Sequence, residues 1–379
     1  MKIYVTIPCL LKGGTEIQTL HLINALVASG YKVTTLCYFE YDNVVVEQFK
    51  NAGSQVVLLQ WNRAISAWQF IFRLKRILKN SNLNLVHVQY MEPGALPIIA
   101  ARLAGVKKIL ATVHQPYTKT HGVFAKLILR LSALLCTRFI AVSKNTEISW
   151  FGSGKLYNEM IPLKQQPRHF TIYNAVHVEQ IQEINNKTDI ISKKDKLGIP
   201  SKAIVFGAVS RLRHEKGIDV LLDAFYRVQK ENKNTHLLVV GTGPDEKLLK
   251  EMASQYKMND KVTFFGEANW VTAMQQMALM DVVVVPSRFE GFGLTAAEAM
   301  AMGKPVVASN VFGLKEVITE NKTGILFENE NRNDLYLKLK IICEHKKDLN
   351  NFRDFSLKEV HKFGLSTYLK KVTTFHNQL

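Results

Sequence analysis

The stretch DVVVVPSRFEGFGLTAAEAMAMGKPVVAS (residues 281–309) contains two valine-rich apolar runs that are separated by a glycine-containing loop and a helical pattern. The runs at 281–287 and 304–309 predict short buried β-strands. The segment between them ends at Gly303 and Pro305, as an α-helix would. A strand, a helix and a second strand in this order predict a βαβ unit, and therefore a parallel sheet.

The same alternation of apolar runs and helical patterns extends over the chain of 379 residues, a length that favours two domains. The polar segment 178–196 lacks strand signals and predicts a linker between domains at 1–177 and 197–363. The terminal helical pattern, 364–379, could pack on either domain; a return to the first domain would tie the two together. Further strands are predicted at 2–8, 32–39, 55–60, 83–90, 107–114, 138–143, 203–210, 235–243 and 261–267. These patterns predict an α/β fold with two doubly wound, Rossmann-like parallel sheets.

The charge of the chain is strongly positive, at +17, and residues 1–180 hold 20 Lys/Arg against 8 Asp/Glu. This excess predicts an anionic partner, either a phosphorylated substrate or an anionic membrane surface. Nucleic acid is not predicted, because no helix-turn-helix, zinc-finger or RNP signature accompanies the charge. The four cysteines form no C-x-x-C pair, which fits a reducing compartment.

The segment WQFIFRLKRILKN (68–80) has the mixture of apolar and basic residues of an amphipathic helix that binds membranes. Phe72, Ile77 and Leu78 are its apolar residues in this interpretation. An ordinary surface helix of an α/β domain has a similar pattern, so both interpretations stay open.

Two glutamates stand out in the opening stretch. Thr295 and Glu298 have the spacing of a capping box, in which Thr295 is the N-cap, but a carboxylate near a helix N-terminus is also suited to bind a ribose diol. Glu290 has no evident structural role in its loop. Gly291 and Gly293 on its C-terminal side allow the backbone to approach a ligand closely.

A second group of candidates carries positive charge or lies beside a glycine turn. Arg211 and Lys216 follow a predicted strand and are suited to bind a diphosphate, although a solvated basic turn has the same local pattern. The P-loop is absent, the dinucleotide fingerprint fails at Glu246, and no D-x-D motif offers ligands for a divalent ion. No metal or other cofactor is therefore predicted.

In SRLRHEKG (210–217) and the Glu290–Glu298 pair followed by AMAMGKPVVAS, the chain resembles the retaining glycosyltransferases of family 4, also described as glycosyl transferases group 1. The similarity covers nearly the whole chain and includes GGTE, IYNAV and GTGP. It implies a GT-B fold, in which two Rossmann-like domains face a cleft and the C-terminal helix crosses back to the N-terminal domain.

The resemblance also implies a chemistry: transfer of a sugar, with retention and without a metal, from a nucleotide diphosphate sugar, most commonly a UDP-sugar. The acceptor would be a glycan or a lipid-linked acceptor in the synthesis of cell-surface polysaccharide or glycoconjugate. The protein would be cytoplasmic and peripheral to the inner face of the membrane. An epimerase or phosphorylase of the same fold, or a non-catalytic sugar-binding protein, are the alternatives.

The resemblance assigns roles residue by residue. Arg211 and Lys216 would hold the donor diphosphate, Glu298 the donor ribose, and Glu290 the donor sugar as a nucleophile-like carboxylate. His114 would line the sugar site near the acceptor and completes the catalytic set, while Asn174 is a lesser candidate. The remaining donor contacts would come from Gly13, Gly14, Gly291, Phe292, Gly293, Leu294 and Thr295.

Overall fold

The computed structural model describes residues 1–81, 83–90, 94–345 and 349–379, except for the side chain of Lys119. It divides the chain into two compact units. The first unit comprises Met1–Ala175 and Leu365–Leu379, and the second comprises Val176–Gly364.

The described part of the first unit contains a parallel sheet built from β1 (Lys2–Ile7), β2 (Lys32–Cys37), β3 (Gln55–Leu58), β4 (Leu85–Tyr90), β5 (Lys108–Val113), β6 (Arg138–Ala141) and β7 (His169–Thr171). The strand order is β3-β2-β1-β4-β5-β6-β7. Its helices are α1 (Gly14–Ala28), α2 (Asn43–Asn51), α3 (Ala67–Lys79), α4 (Leu96–Leu103), α5 (Gly122–Leu134), α6 (Lys144–Phe151) and α16 (Leu365–Asn377).

Helices cover both faces of this sheet. Successive side chains of a strand point to opposite faces, so neighbouring residues of one strand pack against different helices. Leu85 of β4 packs in the cluster that contains Leu22 of α1 and Phe375 of α16. The next residue, Val86, packs in a second cluster with Phe70 of α3 and other residues of α3, α4 and α5. The near-continuous apolar strands predicted from the sequence are the result of this double coverage.

The C-terminal helix α16 packs against α1 in the first unit. The rings of His21 and Tyr368 lie 6.4 Å apart in an edge-to-face arrangement. The hydroxyls of Ser29 and Thr373 share a hydrogen bond of 3.3 Å. The last helix thus completes the core of a unit whose other elements all belong to the segment Met1–Ala175.

The described part of the second unit contains a parallel sheet built from β8 (Ile204–Val209), β9 (Thr235–Val240), β10 (Val262–Gly266), β11 (Val282–Val285), β12 (Val306–Ser309) and β13 (Gly324–Phe327). The strand order is β10-β9-β8-β11-β12-β13. Its helices are α7 (Val178–Lys187), α8 (Ile190–Lys196), α9 (Ile218–Glu231), α10 (Glu246–Gln255), α11 (Trp270–Ala278), α12 (Leu294–Ala301), α13 (Leu314–Val317), α14 (Arg332–Glu344) and α15 (Leu349–Glu359).

The two parallel sheets confirm the predicted fold class, and every strand predicted from the sequence is present with somewhat shorter bounds. The predicted linker at 178–196 is wrong, because this segment forms α7 and α8 of the second unit. Val178 and Ile181 are buried, so that α7 is an amphipathic helix with a polar outer face. None of the described helices combines the length and the apolar character that crossing a bilayer requires.

Candidate functional site

The candidate residues of the second unit lie on two loops that leave neighbouring strands. Segment 210–217 follows β8, and segment 286–293 follows β11, the strand that pairs with β8. The chain runs outward from β8 to β10 on one side and continues with β11 on the other, so the strand order reverses between β8 and β11. Such a switch point at the carboxyl ends of parallel strands is where open α/β sheets bind ligands.

Lys216 and Glu290, which are 74 residues apart in sequence, form an ion pair at this edge of the sheet. The distance from Lys216 Nζ to Glu290 Oε2 is 2.6 Å, and each side chain retains 21–27% of its exposure. The Ser287 hydroxyl donates a second hydrogen bond to the same carboxylate oxygen at 3.3 Å. Glu290 therefore has a partner that the sequence did not indicate, and the ammonium and the carboxylate both remain accessible to a ligand.

Arg211 occupies the other end of the basic turn and differs from its neighbours. Its side chain is exposed, and within the described residues it has no hydrogen-bonding or ion-pair partner. Arg213, two residues later, is 3.7 Å from Glu215. The turn thus presents one uncompensated guanidinium, at Arg211, close in sequence to the strand end.

Arg288, which sequence reasoning missed, ties the two loops together. Its guanidinium donates to both carboxylate oxygens of Asp219 at 2.9 and 2.8 Å, and to Glu330 at 2.7 Å. Its backbone N–H donates to the carbonyl of Glu215 at 2.8 Å. The hydrogen bonds to Asp219 raise the pKa of Arg288 above its ordinary value. The available signal was an arginine two residues before Glu290 in the loop after β11.

The two loops also touch through their backbones at Gly217. This residue has φ +64°, and a Cβ placed on it would lie 2.0 Å from the carbonyl oxygen of Pro286. Only glycine allows both the left-handed conformation and this approach. The contact fixes the start of α9 directly against the loop that carries Glu290.

The loop between Glu290 and α12 is held by a second close backbone contact. Gly313 donates its N–H to the carbonyl of Glu290 at 3.2 Å, and a Cβ at Gly313 would lie 2.5 Å from the carbonyl oxygen of Gly291. Phe292 is buried, with its ring 5.1 Å from that of Phe363. The Phe292 side chain therefore anchors the loop, and only the backbone of this residue is available to contact a ligand.

Of the two interpretations of Thr295 and Glu298, the capping box is wrong. Helix α12 begins at Leu294, two residues earlier than an N-cap at Thr295 requires, and its N-cap is Gly293, with φ +103° and no side-chain cap. The Thr295 hydroxyl instead donates to the carbonyl of Val209, at the end of β8, at 3.3 Å. Local spacing suggested a cap, but the left-handed glycine starts the helix sooner.

Glu298 is free of that structural role and has a different partner. The indole Nε1 of Trp270, at the start of α11, donates to Glu298 Oε1 at 2.9 Å. Burial raises the pKa of Glu298 to about 7, and the hydrogen bond from Trp270 opposes this shift. Glu298 therefore titrates near neutral pH, and its second carboxylate oxygen remains as an acceptor. Trp270 is a further residue that the sequence did not single out.

The remaining candidates belong to the first unit. Gly13 is the N-cap of α1, with an extended backbone at φ −166°, and Gly14 is the first, exposed residue of the helix. Gln18, one turn later, exchanges two hydrogen bonds of 2.8 Å with the backbone N–H and carbonyl of Ala175. This clamp brings the GGTE and IYNAV segments together in one unit.

His114 and Asn174 line the same small cavity of the first unit, about 30 Å³ in volume, together with Gln18 and two histidines, His87 and His376. His114 Nε2 donates to Gln89 Oε1 at 2.7 Å. Burial lowers the pKa of His114 to about 4, so the imidazole is neutral at pH 7. At that pH it can donate or accept hydrogen bonds but does not supply a positive charge.

Two family models match the chain, one in each half. The model described as Glycosyltransferase Family 4 matches residues 12–149, and the model described as Glycosyl transferases group 1 matches residues 189–358. The second match contains the loops after β8 and β11. Across the described residues, no group of three or more His, Cys, Asp or Glu side chains is arranged to hold a metal ion.

Curated relatives include several glycosyltransferases. An uncharacterised glycosyltransferase of Methanocaldococcus jannaschii is 34% identical over 41% of this chain and 39% of its own length. The alpha-monoglucosyldiacylglycerol synthase of Acholeplasma laidlawii is 23% identical over 77% and 76%. The N-acetyl-alpha-D-glucosaminyl L-malate synthase of Bacillus anthracis is 27% identical over 68% and 64%. The chain thus spans less than two thirds of the first and third of these relatives.

Among solved structures, Anabaena HepE in complex with UDP and glucose is similar over the full length of both chains, with a TM-score of 0.80 and 18% identity. Its complex with UDP-glucose has a TM-score of 0.81, also at 18% identity. At this identity the similarity establishes the fold, which is that of GT-B glycosyltransferases.

Proposed function

Because the chain belongs to glycosyltransferase family 4, we propose that it is a retaining, metal-independent glycosyltransferase that uses a UDP-sugar. The observation that carries the proposal is the Lys216–Glu290 ion pair at the switch point between β8 and β11, with the unpaired guanidinium of Arg211 on the same loop. One carboxylate and two cations at this edge fit a ligand that combines a sugar with a diphosphate.

In this proposal Arg211 and Lys216 bind the diphosphate of the donor. Negative charge develops on the nucleoside diphosphate as the glycosidic bond breaks, so two fixed cations stabilise the transition state more than the bound donor. They would thereby supply the charge neutralisation that a divalent ion gives elsewhere. Backbone N–H groups from Gly291 to Thr295, including the first turn of α12, would add hydrogen bonds to the donor.

Glu290 would face the donor sugar. The anomeric carbon becomes oxocarbenium-like as the leaving group departs, and a nearby carboxylate stabilises that positive charge. Attack by the acceptor from the face of the departing diphosphate would then retain the configuration. The neutral His114 of the first unit would hydrogen-bond the sugar or the acceptor, and Gly13, Gly14 and Asn174 remain predicted contacts.

The UDP part of the proposal is supported by HepE, whose structures contain UDP and UDP-glucose. We expect UDP at 100 times its dissociation constant to stabilise the protein by about 2.7 kcal/mol, measured as a rise in melting temperature. EDTA should leave the rise unchanged, and Arg211→Ala should abolish it. GDP, ADP and CDP serve as controls for the base. Stabilisation that requires a divalent ion would contradict the metal-independent mechanism, and no shift with any nucleotide would contradict a donor site.

Glu298 makes the donor affinity depend on pH. Ribose hydroxyls donate to a carboxylate, so the charged form of Glu298 binds the donor better, and its pKa of about 7 leaves it half protonated at neutral pH. We expect the affinity for UDP-glucose to increase by up to about tenfold from pH 6 to pH 8. UDP-glucose is the appropriate probe because its diphosphate is a diester and does not titrate in this range. Calorimetric titrations at three pH values measure this dependence, which Glu298→Gln should remove. If the affinity of Glu298→Gln for UDP-glucose depends on pH as that of wild type does, the titrating group is not Glu298.

We propose a lipid-linked or glycan acceptor at the cytoplasmic face of a membrane. The four cysteines, all in the described part of the chain, form no disulfide bond, which fits a reducing compartment, and the basic first 180 residues fit an anionic surface. Helix α3 matches its expected membrane role only in part, because Leu78 is buried in the core while Phe72 is exposed.

A further inference from the structure

Helix α5 exposes most of its large apolar side chains to solvent, whereas a helix of a soluble domain normally buries them. Only Leu129 and Ser132 of its thirteen residues are buried. Six large apolar side chains are instead at least half exposed, with Phe124 and Val123 at 80% and 77%: Val123, Phe124, Leu127, Ile128, Leu131 and Leu134. A helix that packs on a sheet normally has the opposite arrangement.

These six side chains form one continuous surface, which we call the α5 apolar face. At about 100° per residue, they lie within an arc of about 140° around the helix axis. The buried Leu129 and Ser132 occupy the far side of the helix, toward the sheet. Isolated exposed apolar residues are common on proteins, but a contiguous face of this kind marks a surface that is covered in use.

The sequence around α5 carries only positive charge. Residues 93–146, which include α5, contain eight Lys/Arg and no Asp/Glu. Two of these cations flank the face along one side of the helix. Arg130 is exposed and donates from Nε to the carbonyl of Trp150 at 2.8 Å, and the Lys126 ammonium lies 4.7 Å from the centre of the Tyr117 ring. An apolar face with a basic margin is the pattern of an interfacial helix on anionic lipid.

A second copy of the chain is a poorer occupant for this surface. Pairing two α5 apolar faces would bring Lys126 and Arg130 of one copy close to the same cations of the other, which is unfavourable. Helix α3, the candidate from the sequence, is also weaker. It buries Phe70, Ile71, Leu74 and Leu78.

We propose that α5 lies flat in the interface of an anionic bilayer and is the membrane-docking element of this protein. The inference rests on the proposed function, and specifically on its lipid-linked acceptor. Helix α5 follows β5 after eight residues, and the first of these residues is His114. With a length of about 20 Å and a connection of eight residues to that strand end, α5 would hold the predicted acceptor site at the lipid surface.

Co-sedimentation of the full chain with vesicles tests the proposal. The vesicles contain phosphatidylcholine alone or with 30% phosphatidylglycerol, at low and at 0.5 M salt. We expect binding to the anionic vesicles, weakened by salt. The variant Phe124→Ser/Leu127→Ser/Leu131→Ser should bind at least about tenfold more weakly because it removes apolar area from the interface. These side chains are exposed, so the melting temperature should change little.

The matched control removes three apolar side chains of similar exposure elsewhere. Val44, Ile191 and Leu248 are 62%, 73% and 62% exposed. The variant Val44→Ser/Ile191→Ser/Leu248→Ser should bind vesicles within about twofold of wild type. Equal losses in both triple variants, or no loss in the α5 variant, would overturn the proposal.

Two further readouts on the same samples separate the possible failures. Stabilisation by UDP reports the donor site without any lipid. A UDP response without vesicle binding would refute the docking proposal and leave the proposed function intact. Vesicle binding without a UDP response would refute the proposed donor site and leave the docking proposal intact. Light scattering in the absence of lipid measures the mass of the particle. A dimer that the α5 variant dissociates, with no vesicle binding, would identify a second copy as the occupant and overturn the proposal.

Discussion

Replacing Lys216 by alanine is expected to lower kcat for sugar transfer by about 100- to 1,000-fold, and Arg211→Ala is expected to have a similar effect. Both cations would act on charge that develops as the nucleoside diphosphate leaves, so their loss raises the barrier of the chemical step. Steady-state assays with UDP-sugar and acceptor, accompanied by melting temperatures, measure the effect. The stability of Arg211→Ala should be close to wild type because the side chain is exposed and has no partner among the described residues.

The basic turn itself offers the control for this prediction. Arg213 lies two residues from Arg211 and pairs with Glu215 at 3.7 Å. Arg213→Ala should therefore leave kcat within about threefold of wild type, as expected for an exposed ion pair. If Arg211→Ala and Arg213→Ala behave alike, the segment 210–217 is a solvated basic turn and the diphosphate site lies elsewhere. Lys216→Arg keeps the positive charge, so its kcat should be higher than that of Lys216→Ala but lower than that of wild type.

The fold could be predicted from the sequence because buried parallel strands have a strong local signal. The valine run of β11 and the glycine that ends the following helix define a βαβ unit without knowledge of the rest of the chain. Strands β7 and β13, of three and four residues, were missed. Other strands of four residues were recognised because they lie in longer apolar runs, as β11 does. The polar segment at 178–196 was misassigned because composition reports the exposed face of α7 and not its buried residues.

The candidate site was predictable residue by residue but not in its contacts. Glu290 and Lys216 were each identified from their own loops, but their ion pair joins positions 74 residues apart. Trp270 and Arg288 were missed for the same reason, since their partners lie 28 and 69 residues away in sequence. The position of the N-cap depended on a backbone angle at Gly293, which residue spacing does not report.

The ion pair between Glu290 and Lys216 also predicts that binding and turnover respond differently to Glu290→Gln. In the unliganded protein the carboxylate holds the ammonium at 2.6 Å. A neutral amide would hold it less strongly and leave more of its charge for the donor diphosphate. UDP should therefore bind as tightly as to wild type, or a few times more tightly. In contrast, kcat should fall by about 100- to 1,000-fold because the oxocarbenium-like carbon loses its carboxylate.

Calorimetric titration with UDP and steady-state kinetics on the same preparation separate the two effects. Glu246→Gln is the matched control. Glu246 also forms an ion pair, with 2.7 Å between its Oε1 and Lys250 Nζ, but on the surface of α10 in the same unit. It should change neither quantity. Parallel losses of UDP affinity and kcat in Glu290→Gln would mean that the carboxylate serves only to hold Lys216 and the two loops in place. Unchanged turnover would show that Glu290 does not contact the reacting sugar, and the loop after β11 would then contribute to catalysis through its backbone alone.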